Sequence, residues 1–210
     1  MIIAVDGTAA SGKGTLAKHL ARRLDLAYLD TGSLYRAVGL RLLHEGYTAK
    51  DVTPDIAVAA ARRIDDALMA DDALRSAETG QMASIIAALP EVRAHLLDYQ
   101  RQFARNHPAD KSGVILDGRD IGTVVLPDAD AKFFVDADID IRAGRRHQEL
   151  HESGSSLSLD EVRQQLEERD HRDRNRSHAP LVPAENAIFV DTSAKNIEEM
   201  VAFALSALNR

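Results

Sequence analysis

The 210-residue chain predicts an α/β fold of three layers, with a five-stranded parallel sheet between helices. Three observations carry this reading. Short apolar runs recur along the chain, each closed by an aspartate. Helix-length stretches with apolar residues three or four apart lie between them. Hydrophobic residues make up 45% of the sequence, enough for one sizeable core.

The runs are Ile2–Val5 before Asp6, Ala27–Leu29 before Asp30, Val114–Leu116 before Asp117, Lys132–Val135 before Asp136 and Ala187–Val190 before Asp191. Continuous apolar runs suit strands covered on both faces, as in a parallel sheet. The expected helical stripes are Leu16, Leu20 and Leu24; Ile56, Ala60, Ile64 and Leu68; and Val92, Leu96, Tyr99 and Phe103. Strand–helix alternation implies right-handed crossovers. These place all five aspartates at the carboxyl edge of the sheet, where open α/β folds bind ligands. A single Asp at a strand end also serves as a helix cap or turn residue; five together single out the edge.

Two segments break the rhythm. Residues 36–112 carry helical patterns and no convincing strand, and read as a helical insertion after the second strand. Residues 142–176 hold eight arginines, a Gly154-Ser155-Ser156 loop and a helix start at Ser158-Leu159-Asp160-Glu161. That start is a capping-box pattern, in which Ser and Glu satisfy exposed helix N–H groups reciprocally. With no internal repeat or interdomain linker, residues 1–210 read as a single domain.

Composition excludes several classes. Acidic residues outnumber basic ones 33 to 26, a net charge of −7, which argues against a nucleic-acid or anionic-membrane binder. The absence of Cys excludes a disulfide framework, a zinc-cysteine site and a thiol nucleophile. The eight His residues have no ligand spacing. Met1–Asp6 turns polar too early for a signal peptide, and no apolar run approaches the roughly 18 residues a membrane helix needs. A soluble, cytoplasmic protein is expected. Among the basic residues 20 are Arg and 6 are Lys. Arg grips phosphate or carboxylate through a planar fork, although biased base composition would also raise its count.

The strongest motif is Gly7-Thr8-Ala9-Ala10-Ser11-Gly12-Lys13-Gly14-Thr15, which follows an expected strand and opens an expected helix. This is the context of a phosphate-binding P-loop. Glycines let backbone N–H groups turn around phosphate oxygens, the helix N-terminus adds a favourable dipole, and Lys13 supplies a point charge. Gly14 stands where most such loops carry Ser or Thr.

Asp30-Thr31-Gly32-Ser33-Leu34-Tyr35-Arg36 follows the second strand and would aim Arg36 at the sheet edge from the start of a helix. Asp117-Gly118-Arg119-Asp120-Ile121-Gly122 follows the third; Asp117 stands where P-loop enzymes orient the water shell of Mg²⁺. In Arg169-Asp170-His171-Arg172-Asp173-Arg174-Asn175-Arg176, residues Arg169, Asp173 and Arg176 share a helix face. Such helices are also commonly just solvated. With Arg142, Arg145 and Arg146 at the other end of the segment, the two clusters describe a lid able to close on phosphates. Ten arginines (Arg36, Arg93, Arg119, these three and the four of the run) are expected to converge on one mouth. Thr192-Ser193-Ala194-Lys195 is similar to a guanine-binding loop of GTPases, but the Asn-Lys-x-Asp element that reads guanine is missing. It therefore reads as a connection into the last helix, capped by Asn196 and Glu199.

In this order, the P-loop, the Asp30–Arg36 segment, Asp117–Asp120, the Arg169–Arg176 run and Ala179-Pro180-Leu181-Val182-Pro183 resemble bacterial cytidylate kinases over nearly the whole chain. The resemblance implies the P-loop NTPase fold, a mostly helical monophosphate-binding insertion within residues 36–112 and a lid at 142–176. It implies ATP as phosphoryl donor, Mg²⁺ as cofactor, CMP and dCMP as acceptors, no nucleic-acid or membrane partner, and a monomer. Lys13 and the loop amides of Gly7–Thr15 would hold the ATP phosphates, and Thr15 with Asp117 would hold Mg²⁺, partly through water. Arg36, Arg119 and Arg176 would clamp the CMP phosphate, with Thr31 at a small-hydroxyl position. Ser84, Arg93 and Asp120 would read cytosine; Arg169 and Asp173 would contact the sugar. Lid arginines, Arg145 and Arg172 among them, would neutralise the transferring group. Many members carry a small β insertion just before Leu74-Arg75-Ser76; here only Asp65–Ala73 fills that gap, so the insertion is expected to be smaller and helical. Arg119→Ala is expected to cripple turnover and leave the fold intact.

Three other readings compete: a kinase for UMP or AMP, a kinase for a small hydroxy acid with Asp30 or Asp120 as base, and a nucleotide-binding switch. The missing guanine-reading element and the Arg-rich lid argue against the switch.

Overall fold

Each of the five apolar runs forms a strand in the computed structural model, which describes residues 1–208. They are β1 (Ile2–Gly7), β2 (Ala27–Asp30), β3 (Val114–Gly118), β4 (Ala131–Asp136) and β5 (Ile188–Asp191). All pair in parallel, in the order β2-β3-β1-β4-β5. The order reverses beside β1, so the P-loop stands at the switch point where ligands bind such sheets.

Alternation along β1 explains the layers. Ile3 and Val5 face α1 (Lys13–Leu24) and α9 (Ile197–Leu208), packing with Leu16, Leu20, Met200 and Val201. Ala4 faces the opposite side, where Leu29, Leu116 and Val114 meet Ile121, Val125 and Ala104 of α6 (Pro90–Arg105). Burial of both faces is what continuous apolar strands require. Among the described residues, no helix is long and apolar enough to cross a membrane.

Between β2 and β3 the chain is helical: α2 (Thr31–His44), α3 (Pro54–Ala61), the single turn α4 (Asp66–Met69), a 3₁₀ turn (Asp72–Arg75), α5 (Ala77–Ile86) and α6. Leu34, Val38, Met82, Ile86, Val92 and Leu96 share a second core. The Ile56–Leu68 stripe does not form one helix. α3 stops at Ala61, and the Asp65 side chain accepts from the Leu68 amide at 2.9 Å to start α4. Along α6 the inward positions are Val92, Leu96, Gln100 and Ala104, while Tyr99 is 51% exposed. Gln100 tolerates burial because its amide donates to the Leu96 carbonyl.

Two antiparallel helices follow β4: α7 (Ile139–Glu152) and α8 (Leu159–Asn175). They pack through Ala143, Leu150, Val162 and Leu166, with Ala9 of the P-loop in the same cluster. The capping box forms at Ser158, whose amide donates to Glu161 at 2.8 Å. After β3 the chain makes a single π turn (Ile121–Val125).

Candidate active site

The P-loop is shaped by side chains that themselves turn away from solvent. Thr8 Oγ1 donates to Asp136 at 2.6 Å, Ser11 Oγ to the Thr8 carbonyl at 3.0 Å, and Thr192 Oγ1 to the Ser11 carbonyl at 2.7 Å. Thr8 and Ser11 are fully buried. Gly7 lies against β4, where a Cβ would stand 2.0 Å from the Val135 carbonyl oxygen. Gly12, at φ 88°, and Ala10, at φ 58°, take left-handed backbone that closes the loop. Ala9, Ala10, Gly12, Lys13, Gly14 and Thr15 then line a cleft of about 960 Å³. A Cβ on Gly14 would come 3.1 Å from Asp117 Oδ2, so that carboxylate occupies the space a larger residue would need.

Next to the loop, the ends of β2 and β3 and the first turns of α2 bring Asp30, Asp117, Arg119 and Arg36 to the same cleft. Asp30 caps α2 by accepting from Ser33 N at 3.1 Å and Ser33 Oγ at 2.7 Å, which orients the first turns bearing Arg36. Arg145 and Arg146 enter from α7, and Arg169 from α8. Arg145 donates to Thr192 Oγ1 and to the Thr192 carbonyl at 3.0 and 2.7 Å. Arg146 donates to the Arg75 carbonyl at 3.0 Å, joining α7 to the 3₁₀ turn between β2 and β3.

The electrostatics describe a site crowded with positive charge. Burial, then the Arg119 charge, pushes Lys13 below the ordinary lysine range, against the pull of Asp117 and Asp30. Burial and Arg146 push Arg36 down; burial and Arg119 do the same to Arg169. Burial and the Asp30 charge raise Asp117, whose Oδ1 accepts from the Tyr28 hydroxyl at 3.2 Å. The buried Nε of Arg169 and Nη2 of Arg176 have no hydrogen-bond partner. Each stands just beyond bonding distance of a carboxylate, 3.9 Å from Asp173 and 3.7 Å from Asp120.

A second cavity of about 210 Å³ adjoins this network, lined by Tyr35, Arg93, Gln100, Asp120, His178 and Ala179 among others. Arg93 donates to Asp120 and, at 3.2 Å, to the Ala87 carbonyl, with its guanidinium 5.7 Å from the Tyr35 ring centroid. Arg176 Nη2 lies 3.7 Å from Asp120. Arg119 Nε donates to Asp173 Oδ2 at 2.9 Å, and Arg169 lies 3.9 Å from the same oxygen. Burial opposes the charge on Asp173, but Arg119 and Arg169 outweigh it and hold the carboxyl below its usual range.

Several expected site residues stand elsewhere. Thr31 is buried, its hydroxyl donating to the Asp117 carbonyl at 2.8 Å, so it joins the start of α2 to β3 rather than lining the cleft. Ser84 and Arg172 meet each other at 3.2 Å, and neither lines the main cleft. Of the ten arginines expected at one mouth, only Arg36, Arg119, Arg145, Arg146 and Arg169 line the main cleft. Arg142 is 4% exposed and acts as a strut, donating to Ala137 O at 2.9 Å, Ala9 O at 3.3 Å and Asp170 at 2.7 Å. Arg174 turns outward, 3.8 Å from Asp136. Arg75, Thr192 and Lys195 line the cleft without having been singled out for it. Asn196 and Glu199 do cap α9, at 2.9 and 3.0 Å, but their loop is also cleft wall.

A model of the cytidylate kinase family matches residues 3–210. The chain belongs to the cytidylate kinase family. It is 49% identical to a cytidylate kinase of Rhodospirillum rubrum, over 99% of this chain and 97% of that protein. Identity is 48% to one of Azorhizobium caulinodans, over 100% of this chain and 98% of the other. The chain is thus a nucleoside monophosphate kinase of the cytidylate branch. Among solved structures it resembles a gluconokinase from Sinorhizobium meliloti 1021, with a TM-score of 0.54 and 16% identity over 99% of this chain and 91% of that one. That likeness concerns the fold alone. The cytidylate kinase assignment rests on the family match and the full-length relatives.

Proposed function

We propose that the cleft transfers the γ-phosphoryl group of ATP to CMP or dCMP, giving ADP with CDP or dCDP, in a monomeric, cytoplasmic protein. The observation that carries this is the convergence of Lys13, Arg36, Arg119, Arg145 and Arg169 on one cleft of about 960 Å³ at the switch point. In an acidic protein of net charge −7, such a pocket selects a polyanionic small molecule rather than a nucleic-acid surface.

Lys13 and the amides of the P-loop hold the donor phosphates. Arg36 and Arg119, with the unpaired nitrogen of Arg176, hold the acceptor phosphate. Arg93 and Asp120 read the base beside the second cavity, with Ser84 behind Arg172. Arg169 and Asp173 hold the sugar. Arg145, tied to Thr192 beside the P-loop, and Arg172, bonded to Ser84, neutralise the transferring phosphoryl group. The attacking atom is an acceptor phosphate oxygen that is anionic at neutral pH. Proton abstraction is therefore unnecessary, and the chain's work is in-line positioning and charge stabilisation.

Mg²⁺ fits the donor set. Asp117 presents a buried carboxylate, raised by burial and by Asp30, at the same wall as Thr15. One carboxylate, water and phosphate oxygens are the ordinary ligands of Mg²⁺ in nucleotide sites. Asp117 and Thr15 would hold it, and when bound it neutralises charge on the donor phosphates.

The test is ADP release from ATP with CMP, dCMP, UMP, AMP and shikimate in parallel. CMP and dCMP are expected to give the highest kcat/KM. Preference for UMP, AMP or shikimate would contradict the base assignment.

A further inference from the structure

Asp6 ends the first apolar run, is 3% exposed, and has no part in the chemistry above. Its carboxylate Oδ1 accepts from the Ile121 amide and its Oδ2 from the Gly122 amide, both at 2.7 Å. These are the leading N–H groups of the π turn, which no residue inside so short a turn satisfies. The far end of the same turn is held from α6: Arg101 donates to the Val124 and Val125 carbonyls at 2.9 and 3.1 Å.

The spacing gives this clamp its consequence. β3 ends at Gly118, paired in register with Asp6, and the first clamped amide is Ile121. Only Arg119 and Asp120 lie between the two fixed points. Their backbone is therefore held on one side by the sheet and on the other by the Asp6 carboxylate. Arg119 reaches Asp173 from there, and Asp120 reaches Arg93 and Arg176.

We infer that Asp6 is a positioning residue for acceptor recognition: by gripping the Ile121 and Gly122 amides it aims Arg119 and Asp120 at the monophosphate. The inference rests on the acceptor roles proposed for those two residues. The donor side does not depend on this grip, because the P-loop has its own ties through Thr8, Ser11 and Thr192.

Asp6→Asn tests it. An amide side chain turns one of the two acceptors into a donor facing an N–H group, so the grip is lost while size is kept. KM is measured for CMP at saturating ATP and for ATP at saturating CMP, alongside the melting temperature. The expected result is a rise in KM for CMP of about tenfold or more, with KM for ATP changed by no more than about twofold. Arg101→Met loosens the other end of the turn and is expected to shift the same constant in the same direction by a smaller factor. If Asp6→Asn does not fold, Arg101→Met decides. Parallel rises in both KM values, or a lower melting temperature with both unchanged, would overturn the inference. A wild-type protein that ignores CMP would instead sink the proposed acceptor, and the split would then be read on whichever monophosphate it accepts.

Discussion

Replacing Lys13 with methionine is expected to lower kcat by about 10²–10⁴ while leaving the melting temperature unchanged or raised. The two halves of this result have separate causes. In the proposed reaction the ammonium is the one side-chain charge the P-loop offers the donor phosphates, and that charge would matter most as negative charge shifts during transfer. In the protein alone it makes one hydrogen bond, to the Thr8 carbonyl at 3.3 Å. Burial and Arg119 both work against its charge. Methionine keeps the unbranched stem and removes the repulsion, a trade of stability against activity common at functional sites. Single-turnover rates with CMP and a thermal melt check both halves. A rate within about tenfold of wild type would remove Lys13 from the phosphoryl-transfer machinery.

Arg119→Ala is expected to lower turnover by a similar factor of about 10²–10⁴, but with a loss of stability. The fold is expected to stay intact, but the contact with Asp173 adds a cost in stability. Arg119 Nε bonds Asp173 at 2.9 Å, with the two side chains 14% and 5% exposed. Removing one partner of a buried pair costs about 3–5 kcal/mol when the other charge is left alone. Arg169, at 3.9 Å from Asp173, reduces that cost without cancelling it. A double-mutant cycle with Asp173→Asn separates the effects. The stability losses should be strongly non-additive, since both changes break one bond. Additive losses with near-normal turnover in Arg119→Ala would contradict both the pair and the clamp.

The parts of the molecule legible in the sequence are those set by neighbours in the chain. Strand runs, the P-loop and the Ser158 capping box declare themselves within about a dozen residues, because period, turn chemistry and capping are local. The arginines do not. Arg142 and Arg145 lie three apart on α7, yet one is a buried strut and the other a cleft residue. What separates them is Asp170, 28 residues on, and the Ala9 carbonyl, 133 residues back. The π turn depends likewise on Asp6, 115 residues from Ile121. Thr192 and Lys195 enter the cleft because β5 docks beside β4 and brings its following loop to the P-loop. No spacing within the loop announces that.

Donor and acceptor are proposed to share one cationic cleft, with Lys13 serving the first and Arg36 and Arg119 the second. Calorimetric titration with adenosine and cytidine joined by a pentaphosphate tests it most directly. If the two sites are adjacent and aligned, the joined ligand should bind one-to-one, displace both ATP and CMP, and exceed either affinity by about 10²-fold or more. It should also lose that advantage in Lys13→Met and in Arg119→Ala. An affinity no better than that of ATP, or displacement of ATP with CMP still bound, would place the two nucleotides apart and contradict the account.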